Sequence, residues 1–249
     1  MDFPQSASLQ RAFRICSVWF GFAVIIIGGL GFLGWMFGIP ELKSIDSRFI
    51  AIKVNATIAL VLSGIALILK TRSDDNIRFY WISQVCAAGV TIIGSLTFIE
   101  NLSGWDLGID HLIFEEPASS IIGTTAPGRM APVTSLTFLL FGLALHFLDF
   151  RNDSRMSQVF GLIAWAVGYV NFTGYLYGIK SFSGISSFTQ MAFHTTLALM
   201  LLGLGLLMAR PERGLLRFVT GAGTAGILLR RLLPAAVTLS FLHGWLQVF

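Results

Sequence analysis

A helix-length pattern occurs three times along this chain. The pattern Gly-x3-Phe-x5-Gly is found at Gly28/Phe32/Gly38, at Gly94/Phe98/Gly104 and at Gly168/Phe172/Gly178. Each copy is followed by a second apolar segment, and these segments align with glycines 64, 142 and 203 in one position: IKVNATIALVLSGIAL (52–67), MAPVTSLTFLLFGLAL (130–145) and MAFHTTLALMLLGLGL (191–206). Because a repeated pattern defines the folding unit, we predict a pair of apolar helices that is used three times.

The composition places these helices in a membrane. Hydrophobic residues make up 55% of the chain and charged residues 12%, and the mean hydropathy is +0.76. Apolar stretches near the length of a membrane span lie at 15–38, 50–69, 80–100, 131–149, 157–178, 191–209 and 231–249. Backbone in lipid must form its own hydrogen bonds, and these stretches are too long for barrel strands. We therefore predict an all-α, polytopic transmembrane helical bundle whose first partner is the lipid bilayer.

The repeats predict how the bundle is organised. Residues 1–249 form a single membrane domain with three tandem hairpins, 15–69, 80–149 and 157–209, all of one orientation. Such repeats relate by an axis along the membrane normal, and their glycines let helices approach closely. A basic connector, 210–230, precedes a seventh span, 231–249, which we interpret as an interrupted fourth hairpin.

The distribution of Lys and Arg predicts the orientation. Most of the 17 such residues fall on the side of the N-terminus, and the other side holds only Lys43, Arg48, Lys53, Arg129 and Lys180. This bias predicts a cytoplasmic N-terminus in the bacterial cytoplasmic membrane, with the first span retained as a signal anchor. Contact with anionic lipid headgroups accounts for the basic charge, so we predict no nucleic-acid binding.

The second repeat departs from the other two. Its outer loop, between Gly104 and Met130, is much longer than the equivalent loops and carries WDLGIDHLIFEEPASSIIGTTAPGR. Loops carry function more often than the scaffold they join, so we expect Asp106, Asp110, His111 and Arg129 to respond to a signal. Carboxylates and a histidine can also bind a cation, but their spacing matches no known metal pattern, and we predict no metal.

Glu100 is the strongest single candidate for a residue that responds to a signal or ligand. It stands where the other two repeats have Gly34 and Gly174, inside the outer end of a predicted span. Placing a charged carboxylate within a membrane span costs free energy, and such a group usually faces the interior of the bundle or water. We expect it to sense protons or anchor a ligand, unless it simply reaches out to water or to Arg129.

Two further polar residues begin the second helices of their repeats. Asn55 and His194 occupy one repeat position, and Thr57, Ser135 and Thr196 align two residues later. Polar residues at helix starts cap backbone groups or bridge helices. We expect these residues to line an outward-facing pocket on the pseudo-axis, or else to act as caps.

The sequence resembles a known kind of membrane region. GWDLGIDHLIF followed by PGRMAPVTSLTFLLFGLAL, and MAFHTTLALMLLGLGLLMARPERGLLRFVTG with RRLLPAAV, resemble the N-terminal multi-helix region of bacterial sensory proteins. In that family the region precedes PAS, histidine-kinase or GGDEF output domains. The resemblance implies a signal-input module, a possible homodimer and a cytoplasmic output domain beyond this chain, and it transfers no catalytic residue.

Two other functional classes stay open at this point. The chain carries no nucleotide-binding, protease or hydrolase motif, so enzymatic activity would belong to a parent histidine kinase or diguanylate cyclase. A small-molecule transporter is one alternative, although few charges lie within the predicted spans. A haem- or quinone-binding membrane protein is the other, and the sequence leaves any cofactor unknown.

Overall fold

The computed structural model describes residues 7–45, 49–72, 76–114, 116, 126–148, 154–176, 191–221 and 223–248. These residues form helices joined by loops and one 3-10 turn at Ile109–His111, with no β-strand among them. The helices are α1 (Ala7–Met36), α2 (Pro40–Lys43), α3 (Val54–Arg72), α4 (Ile77–Ser103), α5 (Pro132–Phe147), α6 (Arg155–Leu176), α7 (Phe193–Ala209), α8 (Leu216–Thr220) and α9 (Thr224–Val248).

Four of the described helices, α1, α3, α4 and α6, are long and apolar enough to cross a membrane. Helices α5 and α7 are also apolar but shorter, with 16 and 17 residues. These helices support the prediction of an all-α membrane protein. Helix α9, which covers the predicted seventh span, is not among the four.

The chain after α7 differs from the prediction. Helix α8 lies inside the predicted connector, and α9 begins at Thr224 rather than at Arg231. Arg230 lies within α9, and its Nη1 donates to the carbonyls of Val219, at 2.5 Å, and Gly221, at 3.1 Å. A basic residue that binds the end of α8 thus belongs to the helix instead of flanking it.

The long helices pack as antiparallel neighbours. In the first pair, Ser17 Oγ lies 3.1 Å from Thr71 Oγ1 near the start of α1, and Trp35 Nε1 donates to the Ile52 carbonyl, at 2.7 Å, near its end. The pair α4 and α5 is joined at its two ends as well, by Gln84 with His146 and by Asn101 with Met130.

The third pair follows the same arrangement, and the pairs contact one another. The Tyr175 hydroxyl, near the end of α6, donates to the Met191 carbonyl just before α7. Helix α3 packs on α4, α5 on α6, and α7 returns to α1, where Ser17 Oγ donates to the Gly205 carbonyl at 2.7 Å. We call the end at which α3, α5 and α7 begin the loop end, and the opposite end the basic end.

The repeated glycines lie where paired helices come closest. A β-carbon on Gly94 would lie 2.4 Å from the Leu139 backbone nitrogen, and one on Gly142 would lie 2.2 Å from Thr91 Oγ1. A β-carbon added to any of the equivalent glycines 28, 64, 168 and 203 would also lie 3.0 Å or less from an atom of the partner helix. The last glycine of the pattern ends the helix: Gly104 has φ +70° and caps α4, whereas Gly178 lies outside the described residues.

Adding a methyl group at one of these crossings should separate the helices. We expect Gly94→Ala to lower the free energy of unfolding by about 1–3 kcal/mol, because the Leu139 backbone cannot move aside. The matched control is Gly29→Ala, where a β-carbon meets nothing within 4 Å and alanine improves helix propensity. Denaturant titration in mild detergent, followed by tryptophan fluorescence, measures both. Equal losses for the two variants would contradict close packing at Gly94.

Candidate functional site

Charged side chains are buried together at the loop end. Lys53, Glu100, Asp110, Glu116 and Arg129 expose between 0% and 9% of their surface, and we call these five residues the buried charge cluster. Burying a charge is unfavourable unless it is paired and hydrogen-bonded. The contacts within the cluster therefore decide whether this end of the bundle is stable.

Arg129 lies at the centre of the cluster. Its Nε donates to Asp110 Oδ2 at 2.7 Å, and its Nη2 donates to the Trp105 carbonyl at 3.3 Å. The same Nη2 lies 3.7 Å from Glu100 Oε1 and 3.9 Å from Asp106 Oδ1. The Asp106 side chain is 72% exposed, so its ion pair is screened by solvent and contributes little.

Asp110 connects the long loop to two other parts of the bundle. The 3-10 turn buries this residue, where Oδ2 accepts from Arg129 and Oδ1 accepts from Asn55 Nδ2 at 3.1 Å. Asn55 belongs to the first turn of α3. Burial raises the pKa of the Asp110 carboxyl, and the hydrogen bond and positive charge of Arg129 oppose that rise.

Glu100 connects the loop to the end of α4. Its Oε1 accepts a hydrogen bond from the Leu107 backbone N–H at 2.8 Å, so the loop folds back over the last turn of the helix. Its Oε2 is buried and has no hydrogen-bond partner among the described residues. A buried polar atom without a partner is unfavourable and marks a strained or functional position.

The second ion pair of the cluster joins Lys53 to Glu116. Lys53 Nζ lies 2.5 Å from Glu116 Oε2, which also accepts from the Gly128 backbone N–H at 2.6 Å. Gly128 has φ +69°, and a β-carbon there would lie 2.6 Å from the Asp110 carbonyl oxygen. Only glycine suits this backbone conformation and this close approach.

The carboxylates of the cluster outnumber its cations. Among the described residues of the loop end, three buried carboxylates (Glu100, Asp110 and Glu116) face two buried cations, Lys53 and Arg129. Glu100 Oε2 is the carboxylate oxygen of the cluster that is buried without a hydrogen-bond partner among the described residues. A proton gained or lost at this end would therefore change the pairing of several side chains at once.

The site residues expected from the sequence divide into two groups. Glu100, Asp106, Asp110, Arg129 and Asn55 come together around the Arg129 guanidinium. Of the two histidines, His111 follows Asp110 in the 3-10 turn, whereas His194 lies elsewhere. His111 is exposed, and His194 Nδ1 is buried in the first turn of α7 with no hydrogen-bond partner among the described residues. Those residues also contain no His, Cys, Asp and Glu group that could hold a metal ion.

Sequence reasoning missed the pair Lys53 and Glu116 as site residues. Lys53 counted only toward the orientation of the chain, and Glu116 only toward the acidity of its loop. One signal was available: Lys53 aligns with Ala131 and Ala192, so it is a lysine where the other repeats have a small apolar residue. The acidic neighbour Glu115 lies outside the described residues.

A small pocket lies where the second helices of the repeats begin. Its wall includes two aligned sets of residues, and the full lining is Ile50, Ala51, Lys53, Ala56, Met130, Ala131, Thr134, Met191, Ala192 and Thr195. Asn55, His194, Thr57, Ser135 and Thr196, expected in such a pocket, are absent from this lining. The lining residues are their neighbours in sequence, because one position along a helix turns a side chain to another face. Thr57 and Ser135 instead donate to carbonyls of their own helices.

Comparisons of this chain with protein-family models, with curated proteins and with solved structures find no match. The resemblance to bacterial sensory membrane regions therefore stays an expectation from the sequence. Function has to be argued from the residues themselves, with the buried charge cluster as the candidate site.

Removing the central cation tests the cluster. We expect Arg129→Gln to lower the free energy of unfolding by about 3–5 kcal/mol, because it leaves buried carboxylates without their partner. Arg78→Gln is the control, since Arg78 is exposed and should change stability by less than about 0.5 kcal/mol. Denaturant titration measures both variants. In the Arg129→Gln background, Asp110→Asn should recover part of the loss, and strictly additive effects would contradict the pairing.

Asp110 should make stability depend on pH in a defined direction. Because its pKa is raised on folding, its contribution is fully present below the ordinary value of 3.8 and is lost as pH rises through the raised pKa. We expect wild type to lose stability relative to Asp110→Asn as the pH rises above the ordinary value of 3.8. The exposed Asp106→Asn variant should follow wild type. A difference between wild type and Asp110→Asn that is constant with pH would show that Asp110 keeps its ordinary pKa.

Proposed function

We propose that this chain is a membrane-embedded signal-input module of a bacterial signal-transduction protein. In this proposal three tandem hairpins surround a pseudo-threefold axis, and the basic end faces the cytoplasm, where the N-terminus lies. One observation carries the proposal: the buried Arg129 contacts the long loop and the end of α4, and through Asp110 it reaches α3. A signal that alters this contact acts on several helices together.

The energies involved suit a two-state device. Breaking a buried ion pair by removing one partner is worth about 3–5 kcal/mol. Inverting a two-state equilibrium from 1:99 to 99:1 needs about 5.5 kcal/mol. A proton or ligand that changes the charge at Glu100 or Asp110 would therefore shift a balanced equilibrium between two packings of the loop end by a large factor.

The helices that meet at the cluster also reach the basic end. Helix α4 is continuous over Ile77–Ser103, with Glu100 near its last turn and Gln84 near its first. Gln84 Oε1 lies 2.7 Å from His146 Nδ1 on α5. A displacement of α4 at Glu100 would thus change the distance between Gln84 and His146. This contact lies close to where a cytoplasmic output domain would respond.

The transporter alternative fits these observations less well. Transport sites usually lie at interrupted helices near the middle of the membrane, whereas α3, α4, α5 and α7 are continuous over their ranges. The five residues of the buried charge cluster lie at the loop end rather than at mid-helix. The output domain and a homodimer remain part of the proposal through the sequence resemblance alone.

Spectroscopic distances test whether the loop end moves the basic end. Cys16 is exposed on α1, and Val85 is 69% exposed on α4 near the same end. We would label Cys16 and Val85→Cys with spin labels in a Cys86→Ala background, in lipid nanodiscs. We expect Glu100→Gln, which removes the excess negative charge, to shift the distance distribution between the labels.

The control for this experiment is Asp106→Asn, which removes a charge from the exposed loop and should leave the distances as in wild type. Identical distributions for wild type and Glu100→Gln between pH 5 and pH 8 would overturn the proposed coupling. Saturable uptake of a labelled solute by proteoliposomes of the same chain would favour the transporter instead.

A further inference from the structure

The first part of the long loop lies beside the bundle instead of projecting beyond it. The Leu107 backbone N–H donates to Glu100 Oε1 at 2.8 Å, so the loop is level here with the last turn of α4. Further along, the Phe114 ring packs on Phe32 near the end of α1, with ring centroids 5.9 Å apart. We call residues 105–114 the rim segment, because the bundle holds both of its ends beside helices.

The rim segment buries a charged side chain and exposes apolar ones. Asp110 is buried and accepts a hydrogen bond from Arg129. Large apolar side chains of the segment are exposed, and we call them the apolar rim residues: Trp105, Leu107, Leu112 and Ile113. Single exposed apolar side chains are ordinary on a protein surface. Several of them in one short stretch of chain, opposite a buried charge, indicate an apolar partner.

The length of α4 places the rim segment at a boundary of the hydrocarbon core. Near the start of α4, Trp81 and Tyr80 are exposed, and such aromatic residues are typical of the boundary between lipid and water. Because a helix rises about 1.5 Å per residue, Glu100 lies about 28 Å further along α4 than Trp81, which is close to the ~30 Å of the hydrocarbon core. The rim segment is level with Glu100 and therefore lies at the opposite boundary.

The exposed apolar face of α4 continues into the rim segment. Ile92, Ile99 and Leu102 are exposed, and their spacing places them along one side of the helix. Gly104 ends the helix with φ +70°, and the exposed Trp105 follows at once. In a membrane-spanning helix such a face contacts lipid, so the lipid that covers α4 extends to the first of the apolar rim residues.

We propose that the apolar rim residues are a lipid-contact surface, whose side chains enter the bilayer at the loop end between the headgroups and the acyl chains. The exposed polar side chains of the segment, Asp106 and His111, remain in water or among the headgroups. Lipid removes the apolar side chains from water, which is favourable, and tryptophan is enriched at this depth.

The lipid-contact surface is bound to the buried charge cluster. Arg129 Nη2 donates to the Trp105 carbonyl at 3.3 Å, so the lipid-covered segment and the centre of the cluster are in direct contact. The proposal does not depend on a signalling role for that cluster. Its failure would leave the outcome of the Cys16–Val85 distance experiment open.

Spin-label accessibility tests the surface with a matched pair of positions. Leu112 is 74% exposed and the Asp106 side chain is 72% exposed, so only their chemistry and depth differ. Leu112→Cys and Asp106→Cys would each carry a nitroxide in the full chain, in lipid nanodiscs, with Cys16→Ser and Cys86→Ala. Oxygen concentrates in lipid and a nickel chelate in water. We expect the ratio of oxygen to nickel accessibility to be several-fold higher at Leu112→Cys than at Asp106→Cys.

The two reagents also separate lipid from other partners. Equal ratios at the two positions would overturn the proposal and place the segment in water. A label at Leu112→Cys that neither reagent reaches would overturn it too, because a second copy of the chain or another protein segment would then cover this surface. Ile113→Cys repeats the measurement at the next apolar rim residue and should give a ratio close to that of Leu112→Cys.

Discussion

The hydrogen bond between Arg129 and Asp110 is the contact on which the loop end depends. It joins two residues of the long loop that are 19 positions apart in the chain, and both are buried. Asp110 then holds Asn55 at the start of α3, and Arg129 approaches Glu100 at the end of α4. Because an unpaired buried charge is far less stable than a paired one, these helices and the loop keep their positions together or lose them together.

The close helix crossings and the buried charges serve different purposes. Glycines at equivalent places let each pair of helices approach within van der Waals contact of backbone atoms, which is the main attraction between helices in lipid. The charged groups appear where the repeats differ: Glu100 stands in place of glycine, and Lys53 in place of alanine. The site proposed to receive the signal lies at the end of the bundle where the repeats differ.

Local sequence rules predicted the helices more accurately than the contacts between side chains. Gly104 was expected at a helix end, and it caps α4 with a left-handed backbone. Asp106, Asp110, His111 and Arg129 were expected to respond to a signal, and that expectation stays a prediction. Of these residues, Asp106 and Asp110 lie within ion-pair distance of Arg129. The partnership of Lys53 with Glu116 could not be foreseen, since it depends on how the loop folds over α3. For the same reason, the pocket is lined by Thr134 and Thr195 rather than by Asn55 and His194.

The sequence by itself determined that this protein is helical and apolar enough for a membrane. Those properties follow from hydropathy and spacing, which act over short stretches of chain. Only the tertiary structure decided which charges are buried and which polar groups lack a partner. Burial and pairing depend on residues distant in sequence, and so Glu100 Oε2 was recognised as a buried atom without a partner only once the helices were packed.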